Sequence, residues 1–205
     1  HIIELALQLA QNNNNVYLAS WAFCPTILER LNKAGVRLID KSREKLGKVF
    51  KNNKIDVIHG HQFQSMLQAY NLAQAYNTKF GFTIHGMYDF YIDRSPTGFE
   101  VAKAIDFLIV VDYSVRNFIS YTPIPDNKIH VIPNGVDLKR FKPVQLEDTP
   151  TNLITYISRY DDGKQNVALK VLEAIPYIYD SISDIKLLLV GGGSHHQIVE
   201  QKAVE

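Results

Sequence analysis

The sequence has little cysteine, no excess of either charge and no long apolar run. Cys24 is the single cysteine among 205 residues, which excludes an intrachain disulfide and any site built on several thiolates. That usage fits a reducing compartment. Lys and Arg number 22 against 21 Asp and Glu, a formal net charge of +1, so the basic excess of a general nucleic-acid binder is missing. No apolar run approaches the roughly 20 residues of a membrane-spanning helix. A start signal is lacking as well. The chain opens on "HIIELALQLA", with Ile2, Ile3, Leu5, Ala6, Leu9 and Ala10 at helical spacing, and closes on "SHHQIVEQKAVE" without a stop signal. Those ends read as cuts in a longer protein, so the lack of a leader carries no weight.

What is present is an alternation. Hydrophobic residues make up 46% of the chain, ample for a sizeable core. Short runs rich in Val, Ile and Leu predict strands at 16–20, 36–39, 56–59, 80–85, 107–111, 128–132, 153–158 and 186–190. Helical spacing predicts helices near 1–11, 24–34, 42–52, 64–76, 98–104, 113–121 and 164–178, with Asp112 as the cap of the sixth. Apolar strands separated by helices indicate an α/β fold, a doubly wound parallel sheet covered on both faces. "NGVDLKRFKPVQLEDTPTN" breaks the alternation with two prolines and mixed charge. The expected organisation is therefore a first Rossmann-like domain over 1–135, a linker over 136–152 and the start of a second such domain over 153–205.

In open α/β sheets, ligands bind beyond the carboxyl ends of the strands, where helix amino termini converge. That rule selects His59, His61, His85 with Gly86, Asn134 with Gly135, Arg159, and Gly191, Gly192 and Gly193. Two such rims facing one another would enclose a cleft. His59 reads equally as a core histidine, and Asn134-Gly135 as an ordinary turn. Arg159 and Lys164 in "YISRYDDGK" carry a sharper signal, because they sit where a strand ends and a helix begins. A rigid guanidinium fork, a mobile ammonium and a helix amino terminus together suit a diphosphate without any metal. Solvated surface cations are the alternative. Asp161 and Asp162 are adjacent carboxylates that point apart, so they read as a polar turn and not as a metal pair. "GGG" lacks the spacing of a dinucleotide fingerprint, which argues against a nicotinamide cofactor.

Laid out this way, the chain resembles the retaining glycosyltransferases of family four, which have the GT-B fold. The resemblance runs through "DVIHGHQ", "FTIHG", "IDFLIVVDYSVRNFI", "YISRYDDGK" and "IKLLLVGGGS", and most specifically through "KIHVIPNGVDLKRFKP". It implies transfer of a sugar, with retention and without a metal or other cofactor, from a UDP- or GDP-sugar to a glycan, lipid or small-molecule acceptor. It implies catalytic work at His85, diphosphate binding by Arg159 and Lys164, and a nucleotide loop at Gly191 to Gly193. His59, His61, Gly86, Asn134 and Gly135 would line the acceptor side. Ser158 and Gln165 stand where the family has glycines, and its Glu-x7-Glu motif does not occur in these residues. The 205-residue chain alone is accordingly expected to be inactive.

Two other functions fit the same pattern. One is a non-catalytic binding module on a degenerate version of the fold, and the other is a related enzyme such as a nucleotide-sugar epimerase. Intact His85, Arg159 and Lys164 count against the first and the "IPNGVD" block against the second. A cytoplasmic location is expected. The segment Lys41–Lys54 is basic, with Leu46, Val49 and Phe50 as an apolar stripe. It could touch the inner face of a membrane, although a solvated outer face over a packed stripe is the simpler reading.

Overall fold

The computed structural model describes residues 1–20, 24–40, 43–61, 65–86, 96–119, 122–143, 152–161 and 163–204. Every predicted strand is present: β1 (Tyr17–Ser20), β2 (Arg37–Asp40), β3 (Val57–Gly60), β4 (Lys79–Ile84), β5 (Phe107–Val110), β6 (Ile129–Val131), β7 (Leu153–Ile157) and β8 (Lys186–Val190). Helices α1 (Ile2–Gln11), α2 (Pro25–Lys33), α3 (Arg43–Asn52), α4 (Met66–Tyr76), α5 (Pro96–Ala104), α6 (Tyr113–Ile119), α7 (Gln165–Tyr179) and α8 (His196–Val204) alternate with them. Ser42, Gln64, Ser120 and Tyr121, at the edges of predicted helices, lie outside the described residues, as do Lys41 and much of the expected linker. All strand pairs are parallel. The chain divides into two compact units, His1–Phe141 and Lys142–Glu205.

In the first unit, β3-β4-β5-β6 form a four-stranded sheet and β1-β2 a separate pair. β4 explains why the four strands stay together. Every residue after Lys79 is buried, with Phe80, Phe82 and Ile84 facing one side and Gly81 and Thr83 the other. Phe80, Phe82, Leu108, Val110, Ile105 and Ile119 are the bulk of that core, each contributing about 1.5–3 kcal/mol on burial. A reciprocal clamp sets its register. The Phe80 N–H donates to Asp106 Oδ2 at 2.9 Å, and the Asp106 N–H donates to the Phe80 carbonyl at 2.9 Å. Ala6, Leu7, Leu31 and Val36 make a smaller core around β1-β2.

The connections behave as their residues dictate. In "NNNN", Asn12 and Asn14 amides donate to the carbonyls of Gln8 and Leu9, both at 3.0 Å, and Asn13 takes a left-handed φ of 62°. Asn tolerates that conformation better than most side chains. Asp112 caps α6 as expected, accepting from Ser114 Oγ at 2.6 Å and the Val115 N–H at 2.9 Å. Those bonds hold its carboxyl below the usual range.

The second unit holds two parallel strands and two helices, the opening β-α-β-α of a second domain. α7 and α8 pack on one side of β7-β8, around Tyr160, Ala168 and Val199. Ile157, Leu188 and Val190 remain exposed, so burial alternates along both strands. The strands are apolar on both faces, but among the described residues helices reach only one. No helix among the described residues is long and apolar enough to cross a membrane.

Candidate active site

Period-two geometry sets the imidazoles. His59 and His61 are two residues apart at the end of β3, and Thr83 and His85 are two apart at the end of β4, so each pair shares a face. The parallel register places Gly60 beside Phe82, which brings the two strand ends level. His59 Nε2 lies 2.7 Å from Thr83 Oγ1. His59 stacks on His61 with ring centroids 4.3 Å apart, and His61 stacks on His85 at 5.7 Å. His61 Nδ1 is 3.4 Å from His85 Nε2. His1, which precedes α1, completes the group, with its ring 5.0 Å from His85 and 5.7 Å from His61.

Such crowding works against protonation. Burial lowers the pKa of His61 to about 3, and the neighbouring His59 and His85 add to the effect. Burial, then the proximity of His85, also lowers His59. Both rings are therefore neutral near pH 7. A neutral imidazole offers one acceptor and one donor, so His59 can hold Thr83 and His61 can exchange a hydrogen bond with His85. Thr83 is 3% exposed and is the buried polar residue of that core, so it fixes His59 from below.

Gly86 follows His85, and nothing lies within 4 Å of where its Cβ would be. Asn134 and Gly135 follow β6 and are exposed, and Gly135 likewise has open space around it. The structure thus brings His59, His61 and His85 together with Gly86 at their edge. It leaves Asn134 and Gly135 on the surface.

In the second unit, the turns after β7 and β8 are laced to each other. Ser158 N–H donates to the Val190 carbonyl at 3.0 Å, Tyr160 N–H to Gly192 at 2.8 Å, and His195 N–H to Tyr160 at 3.1 Å. Asp161 Oδ1 accepts from the Ser194 N–H at 2.6 Å and from Ser194 Oγ at 2.9 Å. These two bonds are the main reason its carboxyl sits below the ordinary range, with Arg159 and His195 contributing less. The polar turn read in the sequence is thus a latch at Asp161, and Asp162 lies outside the described residues.

Arg159 is exposed on that latch between Ser158 and the fully buried Tyr160. Lys164 is exposed at the N-cap of α7. Neither has an ion-pair partner among the described residues. Gly163, at φ +83°, turns the chain into the helix, and the Asn166 N–H closes the turn on its carbonyl at 3.1 Å. α7 has 15 residues and no side-chain cap, and the Asn166 and Val167 N–H groups of its first turn are bonded to the carbonyls of Gly163 and Lys164. Both cations therefore stand in the connection that runs from the end of β7 to the positive end of α7.

The three glycines separate in role. A Cβ on Gly191 would overlap the Ser158 carbonyl and crowd the Tyr160 ring, and one on Gly193 would meet the Asp161 carboxylate. Both are required by the latch. Gly192 has open space around it.

Sequence reasoning missed His1, Thr83 and the Asp161–Ser194 latch. His1 carries no local motif, since its partners lie 60 and 84 positions away (positions 1, 61 and 85). Thr83 could have been found from its place one pleat before His85. A hollow lined by Phe50, Asn53, Tyr76 and Lys79 lies at the amino ends of β3 and β4, the opposite strand ends from the imidazoles.

The family model described as Glycosyltransferase Family 4 matches residues 1–140. A phosphatidylinositol N-acetylglucosaminyltransferase component from Arabidopsis thaliana is 27% identical over 160 residues, which is 75% of this chain and 36% of that protein. A glycosyltransferase from Rickettsia africae superposes with a TM-score of 0.70 at 21% identity, over 98% of this chain and 58% of that one. Anabaena HepE, solved with UDP and glucose, superposes with a TM-score of 0.68 at 14% identity, over 99% and 60%. The chain spans about a third of the plant relative (36%) and 58–60% of the two solved chains. Its α/β fold is of the GT-B type, and the chain belongs to glycosyltransferase family 4.

Proposed function

We propose that the full-length protein transfers a sugar from a nucleoside diphosphate sugar to an acceptor held by residues 1–135, with retention and without a metal in the reaction. The observation that carries this reading is the placement of Arg159 and Lys164, both exposed, in the connection from the end of β7 to the amino end of α7. Arg159 pairs with the diphosphate through its planar fork, and Lys164 follows the charge that builds as the anomeric carbon–oxygen bond breaks. Fixed positive groups aimed at developing negative charge are commonly the largest catalytic contribution. Gly192, with open space where a Cβ would stand, gives the nucleotide a close approach to backbone.

His85 is assigned to the donor sugar or its phosphate. His59, locked to Thr83, positions His61, which in turn orients His85 by the 3.4 Å contact. His61, Gly86, Asn134 and Gly135 are assigned to the acceptor side. UDP is the favoured nucleotide, with support from the HepE complex, and GDP is the alternative. An inositol phospholipid is the favoured acceptor, with support from the name of the plant relative. Peripheral contact of α3 with an anionic membrane surface at its cytoplasmic face suits such an acceptor, because the helix buries Leu46 and turns Lys45, Lys48 and Lys51 outward.

The test uses full-length protein with radiolabelled UDP-N-acetylglucosamine, UDP-glucose and GDP-mannose on vesicles containing phosphatidylinositol. Label should pass to lipid from one donor, and His85→Ala should remove most of that transfer. Binding of nucleotide sugar with no transfer from any donor to lipid, glycan or small-molecule acceptors would favour the non-catalytic module and overturn the proposal.

A further inference from the structure

The imidazole cluster has a property that sugar transfer does not use. We propose that His1, His61 and His85 form a binding site for a borderline divalent cation, Zn²⁺ foremost, and that occupancy of this site switches transfer off.

The ring nitrogens already stand close to a metal-binding arrangement. One nitrogen from each of the three rings lies within 4.8 Å of the others, and His61 Nδ1 and His85 Nε2 are 3.4 Å apart. Two zinc–nitrogen bonds of about 2.0–2.1 Å at a tetrahedral angle span about 3.3–3.4 Å, so this pair is at bite distance. For a hydrogen bond between ring nitrogens, 3.4 Å is long. His1 is the exposed member, at the start of α1, and rotation of its side chain closes the remaining distance. His61 and His85 come from adjacent strand ends joined by a four-residue parallel ladder, which holds the pair in place.

A supporting shell is present. His59 stacks on His61 at 4.3 Å and is itself anchored on Thr83, so the His61 plane is held. Imidazole nitrogen suits Zn²⁺, Ni²⁺, Co²⁺ and Cu²⁺ and is a poor match for Mg²⁺ or Ca²⁺. Three protein ligands leave a fourth position open to water or an oxyanion. A metal there takes the His85 lone pair, so His85 is lost to the donor. That inhibitory consequence rests on the role assigned to His85 above, whereas the metal site itself does not.

The binding test uses the chain preceded by Gly-Ser, so that no free amino group on His1 supplies a nitrogen. Co²⁺ is titrated and followed by its visible absorption, and Zn²⁺ by calorimetry. Expected are one equivalent bound with nitrogen-rich Co²⁺ bands, and a loss of at least ~10-fold in affinity for both His1→Gln and His61→Gln. Cys24→Ser and the double variant His195→Gln/His196→Gln should bind as the parent does. His1 is exposed, so His1→Gln remains informative even where His61→Gln fails to fold. Unchanged binding in His1→Gln, or loss of binding in the Cys24 or His195/His196 variants, overturns the site. Transfer by the full-length protein that persists with one equivalent of Zn²⁺ bound overturns the inhibitory role alone.

Discussion

Gly191 and Gly192 are neighbours with opposite surroundings, and that contrast can be measured. A methyl group on Gly191 would overlap the Ser158 carbonyl, and it would stand 2.8 Å from the Tyr160 ring. Neither obstacle is a flexible side-chain end. Ser158 belongs to the backbone bonded to Val190, and Tyr160 is 1% exposed at the centre of the second unit's core. Gly191→Ala must therefore push β7 and β8 apart at their carboxyl ends. Overpacking of this kind costs about 1–3 kcal/mol. In a chain of this size each kcal/mol lowers the melting temperature by about 2–4 °C. Gly192→Ala meets nothing within 4 Å, and its φ lies outside the left-handed region. It should leave the melting temperature unchanged or raise it slightly, since alanine narrows the unfolded ensemble. Thermal unfolding followed by circular dichroism reads both variants. Equal destabilisation by the two, or no loss in Gly191→Ala, would refute the latch as the reason for glycine at 191.

Three further outcomes are expected. His61 is nearly unprotonatable in the fold but titrates near its ordinary 6.5 when unfolded, so the unfolded state takes up the proton as pH falls below 6.5. Stability is then complete above that value and declines towards pH 3, by at most about 2 kcal/mol at pH 5 and about 1 kcal/mol after allowance for the ring's partial exposure. Urea midpoints at pH 7 and pH 5 should converge in His61→Gln more than in the parent, and parallel curves would contradict this. Thr83→Val strips His59 of its partner and should cost about 1–3 kcal/mol, whereas Thr83→Ser keeps the hydroxyl and should cost less. A reversed order in denaturant melts would show that the 2.7 Å contact is unimportant. The 205-residue chain by itself should show no sugar transfer, and detectable product from purified chain would disprove that.

The fold was legible because the strands are apolar, short and separated by helical spacing, a pattern few architectures share. β4 illustrates this, since "FGFTI" carries the signature of a strand buried on both faces and is so buried. The helix-terminal cations were legible for the same local reason, as Arg159 and Lys164 lie within about seven positions of the end of one strand and the start of one helix. Contacts made between distant segments were not. Asp161 meets Ser194 across 33 positions, and only the folded turns bring them together. His1 meets His61 and His85 by way of three elements that share no sequence motif.

Arg159 and Lys164 should recognise the diphosphate itself, and nucleotide titration separates that from recognition of a base. Calorimetry on the full-length protein should compare UDP and GDP with uridine and guanosine, in the parent and in Arg159→Ala and Lys164→Ala. Loss of a charge-assisted contact to phosphate is worth about 1.5–3 kcal/mol, so each variant should bind the preferred diphosphate about 10- to 100-fold more weakly while its nucleoside binds as before. Diphosphate affinity that survives both substitutions, or that falls in step with nucleoside affinity, would contradict the account.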